Sequence, residues 1–186
     1  NRIGGDASLT PKGTRQAADL SEYFHGKSIP YLFTSHRKRS RETAAPISST
    51  HPEAQTITLP ELDEINAGVC ECMRYEDICN EMPDVFLARQ KNKYDYVYPG
   101  GESYALMRRR VERGFRKAMF LSGGLPGVML VGHQAVNRLI LSLFLYRRTE
   151  DVPYIYVPPN QFFHIIMTHR TKLFDRILYA GAEAVS

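Results

Sequence analysis

The sequence predicts one α/β layered domain over residues 1–186, built around a mainly parallel central sheet. Apolar stretches typical of buried strands alternate with amphipathic helical stretches along the chain, as in parallel sheets, whose strands are joined by helices. A length of 186 residues suits one compact domain with a sizeable core. Hydrophobic residues make up 43% of the chain and charged residues 24%, the usual balance of a globular protein.

Helix and strand signals follow one another closely in the first half of the chain. Thr10 followed by Pro11 is a typical helix start, because the hydroxyl caps the first turn and proline suits its first position. Apolar residues then recur at helical spacing up to about residue 26. Residues 29–35 predict a buried strand, a helix follows over about 37–49, and residues 51–72 have the composition of a loop.

The second half of the chain contains further helical stretches. Residues 75–93 are expected to form two short helices divided at Pro83, and Ser103 caps a longer helix. Gly114 inside that longer helix costs about 1 kcal/mol relative to alanine. The elements expected after it are a strand over 127–131, an apolar helix over 135–146, and a terminal hairpin of 162–167 and 173–178.

Composition argues against several classes of protein. No uncharged apolar run is long enough to cross a bilayer, and the first residues lack the apolar core of a signal peptide. Cys70, Cys72 and Cys79 are an odd number crowded into ten residues, without the histidine spacing of a zinc site. We therefore expect reduced thiols in a cytoplasmic protein that has no metal, no cofactor and no membrane partner.

The densest basic run, residues 36–41 (HRKRSR), lies where the strand over 29–35 meets the next helix. Cations are unfavourable at a helix N-terminus unless an anion binds there. A phosphate site and an exposed basic surface that touches nucleic acid are equally compatible with this stretch alone. A second run, Arg108 to Arg110 with Arg113, lies within a helical pattern and favours a solvent-exposed helix face.

His133 lies at the other pronounced junction between a strand and a helix. Ligands of parallel sheets bind beyond the carboxyl ends of the strands, so both junctions are expected to border one site. A helix N-terminus disfavours imidazolium and a phosphate favours it, so the protonation of His133 should depend on the ligand. Gln134 and Arg138 are four residues apart and share a helix face beside it.

Two further groups of polar residues are candidates for the site. The carboxyl groups after residue 60 belong to Glu61, Asp63 and Glu64, and any of them could protonate a leaving oxygen. Arg89 and Lys93 repel one another four residues apart on a helix. With the tyrosines around them they form either a second phosphate clamp or an exposed surface face, and the sequence alone leaves both possible.

Five blocks of the sequence together resemble the histidine phosphatase superfamily. They are residues 2–6 (RIGGD), 34–39 (TSHRKR) with Thr43 and Ala44, 62–71 (LDEINAGVCE), 98–104 (YPGGESY) and 132–138 (GHQAVNR). The longer blocks are similar to the bisphosphatase domain of the bifunctional 6-phosphofructo-2-kinase/fructose-2,6-bisphosphatases. The resemblance extends from Arg2 to about Ile177 and implies the three-layer α/β sandwich of phosphoglycerate mutases, without a metal.

The resemblance implies a role for each candidate residue. Arg39 would bind the transferred phosphoryl group, His133 would stabilise it in the transition state, and Glu64 would be the general acid. Ile3 and Gly4 would contact the sugar through their backbone, and Gln134 and Arg138 would also line the substrate site. The residues that would hold the sugar and its 6-phosphate are Tyr75, Arg89, Lys93 and Tyr104.

The activity that this resemblance implies is hydrolysis of fructose 2,6-bisphosphate to fructose 6-phosphate and inorganic phosphate. The family's nucleophilic histidine lies in an Arg-His-Gly-Glu motif before the block at 2–6, so it is expected on a preceding segment together with a first sheet strand. A fused kinase domain and a homodimer are possible partners, whereas nucleic acid is not expected. The alternatives are a phosphatase or mutase for another phosphorylated metabolite and an inactive domain that binds sugar phosphates.

Overall fold

The computed structural model describes residues 2–145, 147–167 and 172–178, and they form an α/β fold with a parallel central sheet. The helices are α1 (Pro11–Phe24), α2 (Lys38–Thr50), α3 (Tyr75–Glu81), α4 (Pro83–Lys91), α5 (Tyr104–Leu121) and α6 (Gln134–Ser142). The strands are β1 (Tyr31–Thr34), β2 (Gln55–Thr58), β3 (Val128–Val131), β4 (Gln161–Met167) and β5 (Lys172–Leu178). Short 3-10 turns occur at Pro60–Leu62, Gly68–Cys70 and Thr149–Tyr154.

The central sheet lies between two layers of helices. Its strand order is β2-β1-β3 with all strands parallel, whereas β4 and β5 pair antiparallel as a separate hairpin. Neighbouring residues of a strand point to opposite faces, and β1 buries both. Leu32 packs in the cluster formed with α1 and α2, and Phe33 packs in the cluster formed with α5 and α6. The predicted fold class is therefore confirmed.

Most of the predicted helix boundaries are confirmed, and their caps explain why. The Thr10 hydroxyl accepts a hydrogen bond from the N–H of Gly13 at 3.1 Å, and the Ser103 hydroxyl accepts one from Leu106 at 3.1 Å. Pro83 opens α4 directly after α3 ends, because its ring cannot continue the preceding helix. The terminal hairpin is also present, as β4 and β5.

Two boundaries differ from the predictions. Residues 51–72 were expected to be a loop, but they contain β2, a mostly exposed edge strand of sequence QTIT. Because β2 is polar, the hydrophobicity pattern of the sequence does not predict it as a strand. Hydrogen bonds to β1 stabilise it as a strand. The apolar helix expected over 135–146 ends at Ser142, and residue 146 lies outside the described residues.

The structure also bears on the cysteines, on membrane-spanning helices and on where the strands end. All three cysteines are free thiols; Cys70 is buried, and Cys72 and Cys79 are exposed. Within the described residues, no helix combines the length and the apolar character that crossing a membrane needs. Because β1, β2 and β3 run parallel, the segments that follow all three strands meet at one edge of the sheet.

Candidate active site

The ends of β1 and β3 meet through a buried hydrogen bond between two side chains. The Oγ of Ser35 lies 2.6 Å from Nε2 of His133, and neither residue is more than 6% exposed. The Ser35 hydroxyl also accepts the N–H of Arg37 at 3.1 Å, so its own proton is free to point toward the imidazole. Ser40 closes the same junction by donating to the carbonyl of Val131 at 2.5 Å. The imidazole is therefore held in one orientation at the sheet edge.

Burial keeps the His133 imidazole neutral in the free protein. Loss of solvent is the main cause that lowers its pKa to about 3, and the nearby Arg39, Arg37 and Arg110 lower it further. A phosphate bound at this edge would supply the opposite charge and favour the imidazolium. That the protonation of His133 depends on the ligand stays a prediction.

Arg39 is positioned by the segment that contains Gly4 and Gly5. Its guanidinium donates to the carbonyl of Gly5 at 2.7 Å, and the Glu71 carboxylate accepts the N–H of Gly5. Gly4 has φ of +61°, and a Cβ there would lie 2.3 Å from the Glu71 carboxylate. Only glycine combines this backbone conformation with so close an approach.

Asp6 at the end of this segment binds the N-terminus of α2. Its Oδ1 accepts the N–H of Lys38 at 2.6 Å, and that bond, with Coulomb attraction from Lys38, Arg37 and Arg39, lowers its pKa despite partial desolvation. The segment therefore connects the start of the chain to the basic junction. Sequence analysis did not single out Asp6.

Of the three candidate carboxyls, Glu64 alone lies against the start of α6. Its Oε1 lies 3.3 Å from the N–H of Ala135 and 3.0 Å from its neighbour Ile65. Glu61 instead faces Lys117 at 3.6 Å, and Asp63 accepts the N–H of His36 at 2.7 Å.

The pKa of Glu64 is higher than that of an ordinary glutamate. Burial raises the pKa, and the two backbone donors together with Arg39 and Arg110 oppose it without cancelling it. The raised pKa holds a proton on Glu64 to higher pH, which suits a proton donor. The structure therefore brings Arg39, Glu64 and His133 together at one sheet edge.

Arg110 holds the loop that carries Glu64 and so departs from the exposed helix face expected for its run, on which Arg109 and Arg113 do lie exposed. Its guanidinium forms a bidentate pair with Glu102 at 2.8 and 2.7 Å. The same group donates to the carbonyls of Glu61 at 3.0 Å, Asp63 at 2.7 Å and Glu64 at 3.2 Å. The local sequence contains no signal for this role, because its partners lie up to 49 residues away.

A second cationic cluster lines an open pocket of about 380 Å³ beside this edge, formed by Tyr75, Arg89, Gln90, Lys93 and Tyr154. Arg89 donates to the hydroxyl of Tyr75, and Lys93 donates to the carbonyl of Pro153 at 3.1 Å. Burial lowers the pKa of Lys93 to about 8, and repulsion from Arg89 and then Arg138 adds to it. Convergence of these side chains favours the clamp over the exposed surface face.

Tyr104 and Arg138 connect the two clusters. The hydroxyl of Tyr104 accepts a hydrogen bond from Arg138 at 3.1 Å, and Arg138 also donates to the carbonyl of Ile155 at 2.9 Å. Burial raises the pKa of Tyr104; nearby Arg138 and Arg89 lower it, whereas Glu64 raises it. The pKa of Tyr104 therefore responds to charged residues of both clusters, so its hydroxyl lies within electrostatic range of both.

Ile3, Gly4 and Gln134 occupy the margins of the site. The N–H of Ile3 is bonded to the carbonyl of Met73 at 2.8 Å, and its carbonyl already accepts the N–H of Cys72 at 2.7 Å. A further backbone contact of Ile3 would therefore use the second lone pair of that carbonyl. Gln134 is the first residue of α6, and it is exposed. Their contacts with a sugar stay predictions.

Sequence analysis missed several residues that shape the site, namely Ser35, Asp6, Glu71, Glu102 and Arg110. Ser35 could have been found, since it is the last residue of the buried strand predicted over 29–35, and the end of that strand borders the site. The others act through partners distant in sequence. In the described part of the chain, no three imidazole, thiol or carboxyl groups gather in a way that could hold a metal ion.

Comparison with known proteins identifies a family model for nearly the whole chain. The model for the histidine phosphatase superfamily (branch 1) matches residues 2–177. A 6-phosphofructo-2-kinase/fructose-2,6-bisphosphatase from Gallus gallus is 38% identical over 159 residues, which are 84% of this chain and 32% of that protein. The protein of the same name from Caenorhabditis elegans is 34% identical over 181 residues, 96% of this chain and 38% of that protein. The chain thus spans about a third of the length of the curated relatives it matches.

Solved structures agree on the fold. The alpha-ribazole phosphatase from Shigella flexneri superposes with a TM-score of 0.84 at 22% identity, covering 100% of this chain and 92% of that one. A mycobacterial glucosyl-3-phosphoglycerate phosphatase with inorganic phosphate gives a TM-score of 0.78 at 19% identity, covering 99% and 94%. At these identities the likeness concerns the fold alone.

Proposed function

The chain belongs to the histidine phosphatase superfamily, and on that premise we propose that it hydrolyses fructose 2,6-bisphosphate to fructose 6-phosphate and phosphate. The observation that carries the proposal is the pair of cationic clusters joined by Tyr104, one around Arg39 and His133 and one around Arg89 and Lys93. A substrate with two phosphates needs two such clusters. The names of the relatives at 34–38% identity point to the same bisphosphate.

In this proposal the first cluster binds the phosphoryl group that is transferred. The guanidinium of Arg39 presents a rigid fork of donors to phosphate oxygens. The His133 imidazole takes up a proton as the dianionic phosphate approaches, and it then donates a hydrogen bond to the charge that develops in the transition state. Both groups are already oriented, Arg39 by Gly5 and His133 by Ser35, so little reorganisation is needed.

Glu64 is the proton donor of the proposed reaction. A histidine nitrogen attacks phosphorus, the bond from phosphorus to the sugar 2-oxygen breaks, and the proton of Glu64 goes to that oxygen. Water then attacks phosphorus, Glu64 takes back a proton, and the N–P bond breaks to release phosphate. The raised pKa of Glu64 favours the protonated carboxyl that the first step needs.

The attacking histidine is proposed to lie on a strand that precedes residue 1 in the full-length protein. The central sheet supports this. In its order β2-β1-β3, β3 is an edge strand that is bonded only to β1 among the described residues. A preceding strand would pair with the second edge of β3. A kinase domain fused in the same protein, a homodimer and a cytoplasmic location are further proposals.

The test is a substrate panel with the full-length protein. We expect release of phosphate from fructose 2,6-bisphosphate with a kcat/KM at least about 10-fold above that for phosphoglycerates or a mixed panel of sugar monophosphates. A higher kcat/KM for another phosphorylated metabolite would show that the protein is a phosphatase with a different substrate. Tight binding of the bisphosphate without turnover would indicate an inactive binding domain.

A further inference from the structure

Arg37 is a half-buried cationic residue for which the proposed function has no role so far. It is the N-cap residue of α2, and its backbone N–H is bonded to the Ser35 hydroxyl at 3.1 Å. Its Nε is buried and has no hydrogen-bond partner among the residues that the structure describes. A buried N–H donor without an acceptor is unfavourable by about 1–3 kcal/mol, so such groups are rare unless a ligand supplies the acceptor.

The surroundings of Arg37 are those of the phosphoryl site. Its charge lowers the pKa of the His133 imidazole, after the larger effects of burial and Arg39. It also contributes to the lowered pKa of Asp6. Arg37 and Arg39 therefore place two guanidinium groups at the N-terminus of one 13-residue helix. Without an anion, both repel each other and the positive end of that helix.

We infer that Arg37 is a second guanidinium ligand of the phosphate bound by Arg39, donating through Nε. The inference rests on the proposed phosphatase function and adds a specificity-determining residue to it. One dianionic phosphate gives acceptors to both arginines, removes the unsatisfied donor and offsets the repulsion between them. Two guanidinium groups favour a dianionic phosphate monoester over a monoanionic diester at this position.

Arg37 should therefore contribute to binding and not to the stability of the free protein. Its replacement by Met keeps most of the apolar volume of the side chain and removes the guanidinium. Because the buried Nε has no acceptor among the described residues, Arg37→Met should leave the thermal midpoint in phosphate-free buffer unchanged or raised. A residue that only supports the N-terminus of α2 would behave in the opposite way.

The experiment measures orthophosphate binding to the full-length protein by calorimetry, together with the thermal midpoint with and without phosphate. We expect Arg37→Met to weaken orthophosphate binding about 10- to 100-fold, as for the loss of a charge-assisted hydrogen bond. Arg37→Lys should recover only part of the affinity, because an ammonium keeps the charge without the planar fork. Arg15→Met, an exposed arginine of α1, should bind as the unaltered protein does.

The outcomes separate this inference from the function on which it rests. Arg39→Met is the comparison, since it should abolish phosphate binding if the site is a phosphatase site at all. Loss of binding in Arg39→Met with unaltered binding in Arg37→Met overturns the role of Arg37 and leaves the proposed function intact. No orthophosphate binding by the unaltered protein overturns both. A lowered midpoint of Arg37→Met in phosphate-free buffer assigns Arg37 to structure alone.

Discussion

Glu64 is subject to two opposing electrostatic effects, and their balance decides its chemistry. Arg39 and Arg110 favour the carboxylate, whereas removal from water favours the neutral acid. Burial is the larger effect, so the pKa is raised even with two arginines nearby. The residue pattern showed the arginines but not the burial and left three carboxyls as candidates, among which the family resemblance implied Glu64. Geometry separates them, because only Glu64 approaches the start of α6.

Replacing Glu64 by Gln should slow phosphoenzyme formation by about 10²- to 10⁴-fold, since it removes the donor to the leaving oxygen. The protonated form of Glu64 is the active one, so activity of the unaltered protein should fall as pH rises through the raised pKa. Rapid-quench measurement of phosphoenzyme against pH checks both. Glu61→Gln is the control, because that carboxyl faces Lys117. Full activity of Glu64→Gln would remove the acid assignment.

His133 should make the protein less stable in acid. Its folded-state pKa is lowered to about 3 while the unfolded chain keeps the ordinary value of 6.5, so the unfolded state binds the extra proton first. The stability is complete above pH 6.5 and is lost as pH falls toward 3. At pH 5 the expected loss is about 2 kcal/mol relative to pH 7.5, measured by urea unfolding in phosphate-free buffer. His133→Gln should reduce this pH dependence by the same amount, and an unchanged slope would contradict the shift.

At the scale of elements, α5 determines where the acid loop lies. Gly114 and Arg110 are four residues apart and therefore lie on the same face of α5. Gly114 lets the helix approach the turn at Pro60–Leu62, and Arg110 then binds the carbonyls of that loop. The glycine that costs helix propensity thus serves a close contact between α5 and the loop.

Gly114→Ala should destabilise the protein, although alanine favours a helix by about 1 kcal/mol over glycine. The added Cβ would lie 2.6 Å from the Cβ of Glu61, so the loop or the helix must move. Thermal unfolding should show a lower midpoint. Gly13→Ala in α1 is the matched exchange, since its Cβ would approach the side chains of Leu9 at 3.3 Å and Thr10 at 3.5 Å, which are much longer contacts. If Gly114→Ala proved the more stable of the two, the close packing of α5 would be wrong.

At the scale of the whole molecule, parallel strand order places the chemistry. The segments after β1, β2 and β3 come together at one edge, and they carry Arg39, Glu64 and His133 respectively. Helices α3 and α4 and the turn at Thr149–Tyr154 add the second cluster beside this edge. The distance between the two cationic clusters is determined by the assembled fold. That distance decides which phosphorylated substrates can contact both clusters at once.

Arg89→Ala tests the second cluster separately from the first. It should raise the KM for fructose 2,6-bisphosphate about 10- to 100-fold with little change in kcat, because Arg89 would bind the phosphate that does not react. Steady-state kinetics of the full-length protein provide the measurement. Lys91→Ala, an exposed cation of the same helix, serves as control. An unchanged KM in Arg89→Ala would show that the second clamp is wrong.

The sequence by itself determined what depends on near neighbours. Capping by Thr10 and Ser103, the break at Pro83 and the buried strands are local signals, and they predicted most helices and the fold class. The rule that parallel strands end at one edge was enough to expect Arg39 and His133 near one another.

The tertiary structure alone decided what depends on distant partners. The polar strand β2 exists because it pairs with β1, and Arg110 is a support because the 61–64 loop packs on α5. Burial shifts the pKa values of Glu64 and His133, and it leaves Nε of Arg37 without an acceptor within the part of the chain that the structure describes. Burial is a property of the packed molecule. The charged residues can be counted from the sequence. How far each charged group lies from water and from other charged groups is decided only when the chain folds.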